Sequence, residues 1–111
     1  KVTDIKENPT KTFIGVNSGM NHLIRHAMYD SYHAIENLNN SKSEKIKATI
    51  AGNICESGDV FAKNRIINKP KIGDILEIKN AGAYGYAMSS EYNSRPKPKE
   101  YLILKNKIKQ V

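Results

Sequence analysis

The sequence predicts a mainly β domain, an antiparallel β-barrel or sandwich with one short helix near residues 21–30. Three observations predict it. Short apolar-alternating runs are separated by turn residues, a single stretch has helical spacing, and no strand–helix–strand rhythm suggests a parallel sheet. At 111 residues the chain suits one domain, residues 1–111, able to bury a modest core. It carries no internal repeat and no low-complexity tract.

The first strand is expected over Lys11–Asn17, between the turn signals Asn8-Pro9 and Ser18-Gly19. Leu23, Ile24, Ala27 and Met28 then recur at helical spacing, with Asn21 as N-cap and the helix ending near Asp30. His33–Leu38 returns to strand character, and Asn39-Asn40-Ser41 reads as a loop. Lys45–Ala51 alternates, with Ile46, Ala48 and Ile50 on one face, until Gly52-Asn53 breaks it. Ile54–Asp59 is polar, compact and poor in strand formers. The turn Gly73-Asp74 precedes a strand over Ile75–Lys79, and Ala81–Gly85 interrupts again. Pro96 and Pro98 mark a linker before the last expected strand, Tyr101–Leu104.

Composition narrows the function classes. Hydrophobic residues are 39% and charged residues 26%, which excludes a disordered or fibrous chain. No apolar run approaches the roughly 20 residues of a membrane span, and Lys1–Lys11 is too polar for a signal peptide. The start lacks Met and the end falls in a basic run, as expected of a piece of a longer chain. One cysteine allows no internal disulfide and suits a reducing cytoplasm. The net charge of +7 admits a nucleic-acid partner, but the lysines are dispersed as on a solvated face.

Four patches are too small or too polar to be explained by packing alone. Arg25 and Tyr29 are four apart on the expected helix and so share a face. A planar guanidinium beside a phenol makes a carboxylate clamp, unless the two are merely a solvated Arg and a half-buried Tyr. Cys55-Glu-Ser-Gly-Asp59 packs a thiol, two carboxylates and a hydroxyl into five residues. The thiol is a candidate acid or nucleophile; the alternative is a tight turn in which Ser57 and Asp59 satisfy backbone groups. In Ala81-Gly-Ala-Tyr-Gly85, small residues flank Tyr84, so that a ligand phosphate could approach its hydroxyl; the alternative is a bend holding a core Tyr. Met88–Pro96 is rich in hydrogen-bonding groups without an obvious catalytic pair. No metal site is expected: His22 and His26 are four apart, but no acid lies between them in the zinc-helix manner and no CxxC is present.

Taken in order, GMNHLIRHAMYDSYH (Gly19–His33), ICESGD (Ile54–Asp59) and AGAYGYAMSSEYNSRPKP (Ala81–Pro98) closely resemble the carboxy-terminal domain of the diaminopimelate decarboxylases. The resemblance runs from Phe13 to about Leu104. It implies a fold type III pyridoxal-phosphate enzyme of alanine racemase-like layout. An amino-terminal TIM barrel, absent here, would hold pyridoxal 5'-phosphate on a lysine. This β-barrel would complete the site in a head-to-tail homodimer that decarboxylates meso-diaminopimelate to L-lysine, the last step of lysine biosynthesis.

By the same resemblance, Arg25 and Tyr29 bind the distal carboxylate of the substrate. Cys55 donates a proton in the partner subunit's site, Glu56 holds the distal ammonium with help from Ser57, and Tyr84 touches both cofactor and substrate. Two positions depart from the family pattern. Asn17-Ser18 stands where many members have an acid and a small residue, and His26 where many have Pro. The residue types suit the chemistry: a substrate with a zwitterion at its far end needs one cation and one anion in the site, and a thiol ordinarily carries a proton at neutral pH. The chain by itself is expected to be catalytically inert. Two other functions compete with this one. One is a decarboxylase of the same fold for another amino acid or a carboxylated polyamine. The other, from a different class, is a basic OB-like barrel for nucleic acid, against which stand the 7% aromatic content and the lack of Lys–aromatic alternation.

Overall fold

The computed structural model describes all of residues 1–111. Eight strands and one short helix follow the order β1 (Val2–Glu7), β2 (Thr12–Val16), α1 (Arg25–Tyr29), β3 (Ile35–Asn37), β4 (Lys45–Ala51), β5 (Val60–Asn68), β6 (Leu76–Ile78), β7 (Tyr101–Leu104) and β8 (Lys107–Gln110). A 3-10 turn occupies Tyr92–Ser94. The strands form a four-stranded sheet in the order β1-β2-β4-β5, a ribbon β3-β6 and a hairpin β7-β8.

The mainly β expectation holds, as does the sandwich half of it, but the sheet does not close into a barrel. Nor is it wholly antiparallel. β2 and β4 pair in parallel, with Ile14 opposite Ile50, while β1-β2 and β4-β5 are antiparallel. Parallel neighbours need a long crossover. Residues 17–44 supply it, carrying both α1 and β3.

The core lies between the sheet and the β3-β6 ribbon. Val2, Ile14, Val16, Ala48, Ile50, Phe61, Ala62 and Ile67 from the sheet meet Ile35 of β3 and Leu23 from the crossover. Leu76 and Ile78 of β6 pack against this cluster. β4 keeps Ala48 and Ile50 inside as the alternation predicts, and Thr49 on its other face is covered too.

β5 is the longest strand, yet its sequence hides it. Lys63 and Asn64 bulge out between Ala62, paired with Ile50, and Arg65, paired with Ala48. Asn64 adopts a positive φ of 48° and its N–H donates to the Thr49 hydroxyl. The bulge breaks the two-residue period on which strand recognition rests. β1 is mostly polar and exposed beyond Val2, and β8 is exposed throughout, so neither shows clear alternation.

The helix is shorter than the periodicity suggests. Asn21 lies in a turn ahead of it and caps nothing; Ile24 holds the N-cap position without a side-chain bond. Asn21 is instead buried, its carbonyl accepting from the Ser90 N–H at 2.9 Å. The buried helical side chain is His26, while Ala27 and Met28 are exposed. The C-terminus falls where expected, with Asp30 left-handed and its N–H donating to the Arg25 carbonyl.

Asp74 fastens the ribbon to the sheet. Its buried carboxylate accepts from Asn37 Nδ2 (3.2 Å), Asn40 Nδ2 (2.6 Å) and the Lys71 N–H (2.9 Å), and its carbonyl accepts from the Val2 N–H. The Lys71 amide first, then the Asn40 amide, hold the carboxyl below its ordinary value of 3.8. A depressed folded-state value adds stability that is complete above the unfolded value and disappears as pH falls through the folded one. Full-length Asp74→Asn is therefore expected to lose stability at pH 7 but to show a flatter acid limb than wild type below about pH 4. Urea midpoints measured from pH 2 to 7 check this; parallel acid limbs in the two proteins would rule it out.

Candidate functional site

The CESGD loop is organised by its last residue. Asp59 is buried, and its carboxylate accepts from the Ile54 N–H and the Met20 N–H, both at 2.7 Å. The Asp59 carbonyl accepts from the Gly52 N–H, and the Asp59 N–H donates to the Glu56 carbonyl. Ile54 is buried at the other end of the loop. Between these anchors Cys55, Glu56, Ser57 and Gly58 face outward. The turn in which Asp59 satisfies backbone groups is thus real, and it coexists with a presented thiol and carboxylate. Ser57 forms no hydrogen bond in the loop. It lines a cleft between α1 and the start of β5 with Ala27, Asp30, Tyr32, Gly58 and Phe61.

Two glycines make room for the Asp59 carboxylate. A Cβ on Gly52 would lie 2.3 Å from both of its oxygens, and one on Gly19 would lie 2.9 Å from Oδ2. The loop is thereby seated against the Gly19–Met20 turn that leads into α1.

On α1, the Arg25 guanidinium lies over the Tyr84 ring, 5.0 Å from its centre. This is cation–π distance. Tyr29 follows one turn later and is exposed. Tyr84 is exposed as well, which removes the reading of AGAYG as a bend around a core Tyr. The segment makes consecutive turns, with the Gly85 N–H donating to the Ala81 carbonyl and the Met88 N–H to the Tyr84 carbonyl. Nothing lies within 4 Å of the Cβ position of Gly82.

His26 fills the place beneath α1. Its ring lies tilted against Phe61, the centres 4.6 Å apart, and both ring nitrogens are buried without partners. Burial drives its pKa below 6.5, and nearby His33 adds to the effect while Asp59 opposes it. His22 lies in a different setting, between the Ser18 hydroxyl (2.9 Å) and the Pro96 carbonyl (3.1 Å). Nε2 must donate to that carbonyl, leaving Nδ1 to accept from Ser18.

The expected residues therefore form two groups: Arg25 with Tyr84 and Tyr29, and Cys55 with Glu56. No hydrogen bond or ion pair joins one group to the other. The second group has partners that residue-type reasoning did not single out. The Tyr92 hydroxyl donates to Glu56 Oε1, and Asn93 Nδ2 approaches Cys55 Sγ at 3.9 Å. The Glu56 carboxylate, through that hydrogen bond and its charge, holds the Tyr92 phenol above its ordinary 10.0. Both residues belong to the Met88–Pro96 patch, whose hydrogen-bonding density was the available signal.

The profile of the pyridoxal-dependent decarboxylase, C-terminal sheet domain family matches residues 1–82. The chain belongs to this family. It is 50% identical over 111 residues to the diaminopimelate decarboxylase of Methanothermobacter thermautotrophicus, an alignment covering 97% of this chain and 25% of that protein. It is also similar to the crystal structure of diaminopimelate decarboxylase from Methanocaldococcus jannaschii in complex with L-lysine. That match has a TM-score of 0.90 and 41% identity over 99% of this chain and 25% of the other. The lysine/ornithine decarboxylase of Vibrio vulnificus, 23% identical over 86% of this chain and 26% of its own with a TM-score of 0.75, shares the fold. The chain thus spans about a quarter of the length of the curated relatives it matches. No helix is long and apolar enough to cross a membrane.

The buried carboxylate generates a stability prediction. In the full-length protein, Gly52→Ala should cost roughly 1–3 kcal/mol, because the methyl group displaces a buried, hydrogen-bonded carboxylate. Gly82→Ala, with open space around it, should stay within about 0.5 kcal/mol of wild type. Denaturant midpoints compare the two; equal losses would show that Asp59 does not fix the loop.

Proposed function

We propose that the full-length protein is a diaminopimelate decarboxylase, for which this domain supplies substrate-binding side chains and the proton donor. The observation that carries this reading is the presence of a cation and an anion, each outside any ion pair, on separate supports. Arg25 lies over Tyr84 on α1, and Glu56 sits beside Cys55 on the Asp59-held loop. The names of the relatives support the same reading.

The substrate would carry an amino-acid group at each end. Arg25 presents a planar fork of donors to the distal carboxylate and Tyr29 adds a hydroxyl. Glu56 receives the distal ammonium, with Ser57 beside it in sequence. None of the chain's ion pairs involves Arg25 or Glu56, so both charges are available to a ligand. Lysine or ornithine entering as a substrate, with its own amino-acid end at the cofactor, would bring no distal carboxylate and would leave Arg25 unpaired in a closed site, at a cost on the order of 3–5 kcal/mol. That difference would favour diaminopimelate over those amino acids.

The family is pyridoxal-dependent. Tyr84 is exposed, and its hydroxyl would hold the phosphate of pyridoxal 5'-phosphate. When bound, the cofactor supplies the electron sink that lets a carboxylate leave the α-carbon. Cys55 then delivers a proton from Sγ to that carbon. A lysine for the cofactor would come from an amino-terminal TIM barrel, and the working unit would be a homodimer. The exposed thiol must stay reduced to act, which suits the cytoplasm.

The first test is substitution in the full-length enzyme. Arg25→Lys should lose most activity, since an ammonium cannot reproduce the fork, and Glu56→Gln should be severely impaired. A specificity constant within about threefold of wild type in either variant would mean less than ~1 kcal/mol is involved and would refute the clamp.

The two groups of residues further suggest that Cys55 serves the partner subunit's site. A full-length variant lacking the cofactor lysine, mixed with Cys55→Ala, should then regain about a quarter of wild-type activity. Random reassociation makes half the dimers mixed, each with one intact site. With subunit exchange confirmed by mass spectrometry, activity remaining at the parental level would place Cys55 in its own subunit's site.

A further inference from the structure

Cys55 and Glu56 are exposed, yet each meets a side chain from one other segment. Glu56 Oε1 accepts from the Tyr92 hydroxyl, and Cys55 Sγ lies 3.9 Å from Asn93 Nδ2. Two consecutive residues thus dock on two consecutive residues. We propose that Tyr92 and Asn93 are positioning residues for the reaction, Tyr92 aiming the Glu56 carboxylate at the substrate ammonium and Asn93 holding the Cys55 sulfur. The inference rests on the roles given above to Cys55 and Glu56.

The chemistry of each contact fits its task. A carboxylate aimed by Lys or Arg would have its charge already compensated. A phenol is a neutral donor: it fixes one oxygen and leaves the negative charge and the second oxygen for an ammonium. The raised Tyr92 value keeps that donor protonated across the working range. The amide of Asn93 donates weakly to a thiol and more strongly to a thiolate, because a bond to an ion is charge-assisted. Its contribution therefore grows as Cys55 gives up its proton.

The turn is built to hold both side chains out. Asn93 and Ser94 have φ of 58° and 57°, a left-handed conformation in which Asn is among the better-tolerated residues. Both flanks are tethered. The Ser90 N–H donates to the Asn21 carbonyl at 2.9 Å, and the Pro96 carbonyl accepts from His22 Nε2 at 3.1 Å. With the Asn53 amide oriented to donate to the Ser18 carbonyl, its oxygen accepts from Arg95 Nη1 at 3.0 Å. These tethers end on residues 18–22 and on Asn53, beside the same Gly19–Met20 turn that Asp59 grips. The two docked segments accordingly share one support.

The test uses the full-length enzyme with Tyr92→Phe, Asn93→Gly and Asn93→Asp. Gly and Asp both tolerate the left-handed backbone, so they separate the amide from the turn. Tyr92→Phe should raise KM for diaminopimelate about tenfold with kcat within about threefold. Asn93→Gly should lower kcat about tenfold with little change in KM, and should move the pH midpoint of Cys55 alkylation by iodoacetamide upward. Asn93→Asp, placing a carboxylate near the sulfur, should move it further. An unchanged KM in Tyr92→Phe, or an unchanged alkylation midpoint in both Asn93 variants, would overturn the assignment of that residue. Wild-type enzyme that fails to turn over diaminopimelate would refute the proposed function instead, and the alkylation midpoint would still decide whether Asn93 acts on Cys55.

Discussion

The buried carboxylate of Asp59 is the constraint on which the site depends. A carboxylate removed from water is costly unless its oxygens are paired, and here two backbone amides from different parts of the chain pair them. One amide belongs to the loop bearing Cys55 and Glu56, the other to the turn entering the helix of Arg25. The same side chain therefore sets the distance between an acidic and a basic part of the surface. Glycines stand where it needs space, so the arrangement is specified by what is absent from the backbone as much as by the acid itself.

From this anchor the rest of the site can be followed outward. The turn at residues 18–22 receives Asp59 on one side and the Ser90–Pro96 segment on the other. Asp74 performs a comparable task at the far end, tying the β3-β6 ribbon to the sheet edge. Both acids use oriented amide groups rather than cations as partners. The chain's excess of lysines is left largely on the surface, where residues such as Lys42, Lys45, Lys47 and Lys63 are exposed.

The sequence reveals most where local pattern and tertiary role agree. β4 and β7 coincide with their expected bounds because alternation or an apolar run is uninterrupted there. β5 escaped because a bulge shifts its period, and β1 and β8 because their exposure leaves little pattern to read. The parallel β2-β4 pair was invisible for another reason: pairing direction is decided by the crossover, not by either strand. Asn21 misled because an Asn before an apolar run has the same composition whether it caps a helix or, buried, ties two loops. Among the site residues, Arg25, Cys55, Glu56 and Tyr84 were noticeable by type and spacing. Tyr92 and Asn93 were not, since their significance lies in contacts made across some 37 residues of chain.

The parallel pair also bears on how the domain assembles. β2 and β4 can join only after residues 17–44 have closed into a loop, and that loop contains the helix with Arg25 and Tyr29. Closing it costs chain entropy before any strand contact repays it, which makes such pairing slow relative to hairpins. A helix as short as α1 has little stability of its own and gains its shape from the sheet onto which the loop closes. Residues placed on a crossover that closes late would escape the demands of the folding nucleus. Changes there would alter how fast the native state is lost more than how fast it is reached, leaving this stretch comparatively free to vary for recognition.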